Sequence, residues 1–182
     1  MCGAAFTMVV PTAPAMEAVE YIDLDFDNSF DSHSLFRGPP TPEREELWRN
    51  VSIKVPANKL TELNRTDAAD LRESANGYVA MIEVFHQLHC LNLVRQYTWF
   101  LAGKYEMPPP DLMGSPVGNR MHVDHCIETL RLALMCSSDV TPFFIRVDPN
   151  KPLGQSADFN SHHRCRNFQK INSWMDENWT IL

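Results

Sequence analysis

The most regular apolar pattern in the chain runs from Glu83 to about Leu101. Phe85, Leu88, Leu91, Leu93, Val94, Tyr97 and Phe100 recur there at helical spacing, over a surface too broad for a solvent-facing helix. Met107-Pro-Pro-Pro110 ends that helix, and the Pro/Gly-rich stretch to Gly118 reads as a flexible connector. A second helix is expected from about Asn119 to Cys136, with Ile127, Leu130, Leu132, Leu134 and Met135 as its core positions. Thr41-Pro42-Glu43 opens an earlier helix to about Asn50, with a capping hydroxyl, proline at the first helical position and acids in the first turn. Val51 to Pro56 breaks it, a short helical stretch is expected near Asn58 to Leu63, and the polar segment to Ser74 reads as loop. A last helix from about His163 to Asn178 carries Phe168, Ile171 and Trp174. Strand patterns are fewer: Tyr78 to Ile82 after the Asn76-Gly77 turn, and Pro142 to Val147, expected to pair with it. Residues 148–162 read as polar loop. These elements predict an extended or poorly ordered arm over 1–35, then one α-rich domain (α+β in the minor sense) over 36–182. In that domain two antiparallel histidine-bearing helices pack beside a small β element.

Those two helices carry the same polar insertion. His86-Gln-Leu-His89-Cys90 is followed by Arg95, and His122-Val-Asp-His125-Cys126 by Arg131, every marked position offset by 36 residues (122 − 86). Four of the 7 histidines and two of the 5 cysteines fall in this repeat, too many of two scarce residue types for coincidence. Residues three and four apart share a helix face, so each copy makes one polar cluster on an otherwise apolar rod. Facing histidine pairs on neighbouring helices are how bundles build metal sites. Buried imidazoles without a metal would each need a hydrogen-bond partner, and the nearby acids are only Glu83, Asp124 and Glu128. His86, His89, His122 and His125 are therefore the candidate metal-binding and catalytic residues. Copper, zinc, iron and nickel all suit nitrogen donors, and the absence of an evident His-His-carboxylate set argues against non-haem iron.

The remaining motif residues admit blander roles. Cys90 and Cys126 are open to three: thiolate ligand, disulfide partner, or small buried apolar residue. The disulfide ranks above ligation, because oxidation threatens free thiolates beside a redox metal. His163, in His162-His163-Arg164-Cys165, is a candidate accessory ligand weighed against an ordinary loop histidine. Arg95 and Arg131 fall about two and a half turns after the first histidine of each copy. They read as helix-end cations or salt-bridge partners to an acid on a neighbouring helix rather than as substrate contacts. Asp139-Val140-Thr141 reads as a turn cap.

Composition narrows the partners. The chain has 182 residues, 44% hydrophobic and 21% charged, which is ordinary for a globular protein. A net charge of −7 with no Lys/Arg run disfavours nucleic acid and anionic membrane surfaces. No apolar stretch reaches bilayer length, and the mildly apolar start Cys2 to Val10 lacks a basic leader, so no transmembrane anchor and no clear signal peptide is expected. Sequons at Asn50, Asn64 and Asn178 and the even set Cys90, Cys126, Cys136 and Cys165 point toward the secretory lumen or a vesicle, with a soluble cytoplasmic protein as the alternative.

Taken together, several segments resemble one family. Gly77-Tyr78 leads into Val84-Phe85-His86-Gln-Leu-His-Cys-Leu91-Asn92; His122-Val-Asp-His-Cys-Ile-Glu128 and Leu130-Arg131 follow, then Leu134-Met-Cys136 and Asp139-Val-Thr141. These are similar to the UstYa-like family of fungal biosynthetic clusters. Arg37-Gly-Pro-Pro-Thr-Pro-Glu43 before a Trp-bearing helix fits too, as does His163-Arg-Cys165 with Ile171 and Trp174, so the likeness covers most of residues 36–175. The resemblance implies an oxidative tailoring enzyme with one or two copper ions and O2 as co-substrate. It implies cyclisation, hydroxylation, dehydrogenation or halogenation of a small-molecule or peptide natural-product intermediate by hydrogen abstraction. Carried over, the metal-binding positions are His86, His89, His122 and His125, with Cys90 and Cys126 as the other motif members. Homo- or hetero-oligomers with family members are expected partners. Members usually begin with a cytosolic tail and one transmembrane helix, and this sequence departs from that pattern. Two rival readings stand beside the oxidase. One is a non-oxidative or zinc-assisted cyclase or hydrolase with histidine as general acid/base. The other is a non-enzymatic partner whose metal is structural.

Overall fold

The computed structural model describes residues 13–30, 32–48, 53–60, 68–74 and 77–178; Cys2, the apolar start and the sequons at Asn50 and Asn64 lie outside them. Among the described residues the helices are α1 (Pro42–Leu47), α2 (Glu83–Leu101), α3 (Pro116–Ser137) and α4 (Phe168–Asn178). The strands are β1 (Tyr21–Asp25), β2 (Ile53–Pro56), β3 (Glu73–Ser74), β4 (Gly77–Ala80), β5 (Phe144–Val147), β6 (Gln155–Asp158) and β7 (His162–Arg166). They form three small sheets, ordered β1-β7, β2-β4-β3 and β5-β6. With about 46% of the described residues in helix and 17% in strand, this is a mixed α+β protein, which corrects the expectation of an α-rich helical domain. Strands of two to five residues are too short to declare themselves by periodicity, so the sequence under-reported them. The chain divides into two compact units, residues 1–22, 52–81 and 166–182 in one, and 23–51 and 82–165 in the other.

In the first unit, β4 is the central strand, with Val55 opposite Tyr78 on one side and Glu73 opposite Tyr78 on the other. Gly77 is required by the closeness of that pairing: a Cβ there would overlap the Val55 carbonyl oxygen and press on Pro56. Gly77→Ala should therefore cost about 1–3 kcal/mol. A lower urea midpoint at unchanged slope would show it. Elsewhere in the unit α4 buries Ile171 and Met175, one turn apart, and packs on the 3-10 turn Pro14–Ala18. Asn167 Oδ1 accepts from the Lys170 N–H at 3.2 Å, a capping bond that starts α4 five residues later than expected. The residues before it, His162 to Arg166, are strand rather than helix.

The second unit holds both histidine motifs. Ser115 Oγ accepts from the Gly118 N–H at 3.1 Å and Pro116 follows, so α3 begins three residues before its expected start. Its core is Cys90, Leu93, Leu112, Val123 and Cys126, with Val94, Tyr97, Phe100 and Leu130 packed against it. Ile127, Leu132, Leu134 and Met135 are exposed, contrary to expectation. The buried stripe of α3 runs through Asn119, Val123 and Cys126 and on to Leu130, because that face meets α2. Apolar content alone does not say which face has a neighbour. Likewise β5 pairs with β6, Ile145 opposite Ala157, and not with β4. Among the described residues no helix is long and apolar enough to cross a membrane.

Candidate metal site

Helices α2 and α3 run antiparallel, so a step forward from His86 to His89 is a step back from His125 to His122. His86 faces His125 with ring centroids 6.0 Å apart and planes at 32°. His89 faces His122 at 6.1 Å and 42°. The 36-residue offset carries His86 to His122 and His89 to His125, so the two facing pairs are images of one another under a local two-fold relation. Cys90 and Cys126, linked by the same offset, are fully buried and share a hydrogen bond in the core between the helices. Their small side chains suit a close approach of the two rods. His86, His89 and His122 are half-buried and His125 is exposed, which leaves the imidazoles reachable from solvent.

Two imidazole nitrogens bound about 2.0–2.1 Å from one ion place their ring centroids roughly 5 to 6.5 Å apart. Both pairs lie in that range, so the donor set fits one ion per pair. The rings meet as two pairs rather than at one shared point. Among the described residues no group of three or more His, Cys, Asp or Glu side chains is gathered closely enough to hold an ion.

The local electrostatics favour a neutral His89. Burial lowers the pKa of His89, the Asp111 carboxylate opposes it, and the neighbouring His122 and His86 lower it further. A neutral ring keeps a nitrogen lone pair for a cation. His86 Nδ1 lies 3.4 Å from Glu83 Oε2, a long contact of the kind that orients a ligating ring. Burial pushes the Cys126 thiol up to about 12, and the hydrogen bond it donates to Cys90 adds to the rise. Cys126 is thus a neutral thiol. Cys90, Cys126, Cys136 and Cys165 are all free thiols.

The connector between the helices supplies residues that sequence reasoning missed. It folds back on a 3-10 turn, Pro110–Leu112, with Leu112 buried and its carbonyl accepting from Asn119 Nδ2 at 2.7 Å. That return brings the Asp111 charge within reach of His89 and Cys126. Its only trace in the sequence is the apolar pair Leu112-Met113 in a connector rich in proline and glycine. A cleft of about 210 Å³ opens beside it, lined by Tyr97, Phe100, Leu112, Met113 and Asn119 among others. Asn119 lies about one turn before His122 on α3, while neither His89 nor His122 lines the cleft.

The sequence comparison agrees with the motif. Residues 5–178 match the family model described as mycotoxin biosynthesis protein UstYa. The chain belongs to the UstYa family. It is 39% identical over 178 residues to the transacylase cctO of Talaromyces islandicus, covering 91% of this chain and 59% of that protein. It is 41% identical over 172 residues to the UstYa family oxidase phomYc of Diaporthe leptostromiformis, covering 87% of this chain and 64% of that one. To the oxidase ustYa of Aspergillus flavus it is 34% identical over 112 residues, covering 62% of this chain and 47% of that protein. The chain thus spans less than two-thirds of the length of these relatives. No solved structure matches it.

The other marked residues of this UstYa-family chain have protein partners. Arg95 Nη2 donates to both carboxylate oxygens of Glu45 on α1, each at 2.8 Å, the neighbouring-helix salt bridge expected for it. Gln96 Nε2 and the Tyr105 hydroxyl donate to the same carboxylate at 2.9 and 3.1 Å. Burial would raise the Glu45 pKa, but hydrogen bonds from Gln96 and Arg95 overcome it and leave it lowered. Burial and the Glu45 charge push Tyr105 up to about 12. Arg131 pairs with Glu128 on its own helix at 2.6 Å. His163 has both ring nitrogens engaged: Nδ1 lies 3.1 Å from Asp139 Oδ2 and Nε2 lies 2.9 Å from Ser161 Oγ.

Proposed function

We propose that this chain is an oxidoreductase that tailors a fungal natural product, with one copper ion held by His86 and His125 and a second by His89 and His122. The observation that carries the reading is the pair of facing imidazoles at 6.0 and 6.1 Å, each matched to the span of a single two-nitrogen ion site. Copper bound there would supply one-electron exchange with O2 and abstraction of hydrogen from a C–H or O–H bond. The protein's part is to hold the four rings in place, and burial of His89 favours its neutral form. Two protein nitrogens per ion leave positions open to O2 and substrate. The apolar cleft that begins at Asn119, about one helical turn from His122, would take a small-molecule or peptide intermediate and keep water from it. Cys90 and Cys126 would serve the scaffold, as a thiol pair or, once oxidised, as a cross-link between α2 and α3. The family membership and the relatives named as oxidases support the redox class.

The test is metal analysis joined to turnover. Purified protein should hold two copper ions per chain and consume O2 with product formation, and chelation should abolish both. Full turnover in chelator under strict anaerobiosis would eliminate the redox mechanism. A second reading has one observation behind it: the Talaromyces islandicus relative is named a transacylase, so a redox-neutral group transfer is an available chemistry for the scaffold.

A further inference from the structure

The second unit contains another hydrogen-bonded set, away from the histidine groove. Asp139, Ser161 and His163 come together where the segment after α3 meets β7. Twelve residues of α3 (137 − 125) separate His125 from the helix end, roughly 18 Å along its axis. Ser161 Oγ lies 2.9 Å from His163 Nε2, and His163 Nδ1 lies 3.1 Å from Asp139 Oδ2. The other carboxylate oxygen of Asp139 accepts the Thr141 N–H at 2.8 Å, which fixes its orientation. Phe26 stacks on the imidazole with centroids 3.8 Å apart and planes at 20°, so the ring is held from its face as well as from both nitrogens.

From this geometry we infer a nucleophile-base-carboxylate relay, Ser161–His163–Asp139, that transfers acyl groups through an acyl-serine. The chain of contacts selects the tautomer with the proton on Nδ1, which donates to Asp139 and leaves Nε2 to accept from the serine hydroxyl. Hydrogen bonds from Thr141, with the adjacent His163 contributing, hold the Asp139 carboxyl below the ordinary range, so it remains an acceptor. Ser161 is half-buried rather than enclosed. Phe159 lies two residues before it and meets Phe30 and Phe143, each with ring centroids 5.6 Å away. Phe30 and Phe143 are exposed and pack on Phe159, an apolar surface that begins two residues along the chain from the nucleophile. The substrate class is therefore an ester or thioester of an apolar or aromatic acyl group.

The steps balance without any oxidant. Ser161 Oγ bonds to the acyl carbon while its proton passes to His163 Nε2; the ester or thioester bond then breaks and the leaving group takes that proton. An acceptor hydroxyl, amine or water next gives its proton to Nε2, attacks the acyl-serine and frees Ser161, which regains the proton. None of this uses the histidine groove or a metal, so the inference stands or falls apart from the proposal above.

The experiment uses the whole chain with a fluorophosphonate probe and with p-nitrophenyl acetate. The expected result is probe mass on the peptide carrying Ser161, and a burst of one equivalent of p-nitrophenolate that survives dialysis against EDTA. Ser161→Ala should abolish both at an unchanged melting temperature. His163→Gln and Asp139→Asn should slow labelling by roughly a thousandfold or more, with Asp139→Glu restoring part of the rate. Folded protein that takes no probe at Ser161, that labels a cysteine instead, or that labels equally fast as His163→Gln overturns the inference.

Discussion

His122→Ala is expected to lower copper from two ions per chain to one and to cut oxidative turnover by roughly a hundredfold or more. The size follows because removing groups that merely orient a ligand already costs metalloenzymes roughly 10- to 100-fold, and His122 is proposed as a ligand itself. The stoichiometry is the sharper readout. His122 faces His89 and is not paired with His86 or His125, so the other pair should keep its ion. Elemental analysis of the variant, with EPR to count copper environments, checks this directly. Loss of both ions at once, in protein that melts normally, would mean that the four rings serve one site and that the two-pair arrangement misplaces the donors.

Glu45→Ala is expected to destabilise the protein by about 3 kcal/mol, the cost of stranding one charge of a largely buried pair. Glu45 is the acceptor for Arg95, Gln96 and Tyr105 together, and the Arg95 side chain is only 11% exposed. Among the described residues Arg95 Nη1 is already buried without a hydrogen-bond partner, and Asn92 Oδ1, which accepts from Nε at 2.9 Å, would be the guanidinium's remaining side-chain acceptor. Its stacking over Trp48, 5.5 Å from the ring centroid, would survive but accepts no hydrogen bond. Arg131→Ala is the control. That residue's exposed pair with Glu128 is screened by solvent and should contribute little to stability. Urea titration of both variants separates the cases, and equal midpoints would show that the Glu45 cluster is no more than a surface ion pair.

The parts of the fold that were legible in the sequence share a cause. Helix α2 spans Glu83–Leu101 as its period indicated, and Thr41 with Pro42 began α1 where expected, since caps and long periodic faces are local properties. The salt bridge of Arg95 also came through, as a cation on an otherwise apolar helix had to find an acid. Tertiary context overrode the local signals elsewhere. Four of the apolar residues assigned to the α3 core are exposed, and strand β5 found β6 because a turn with Gly154 at φ +65° placed it there.

The candidate site divides along the same line. The chain alone singled out the four histidines as candidate metal donors, because a repeated His-x-x-His-Cys on two helices needs only helical geometry to make two clusters. It also determined the family, through those motifs. Only the tertiary structure decided that the four imidazoles meet as two crossed pairs, that Asp111 returns to His89 on a folded connector, and that Ser161, His163 and Asp139 adjoin. The reason is physical: helical spacing is set within a few residues, whereas partners across helices and loops are chosen by packing between segments far apart in the chain.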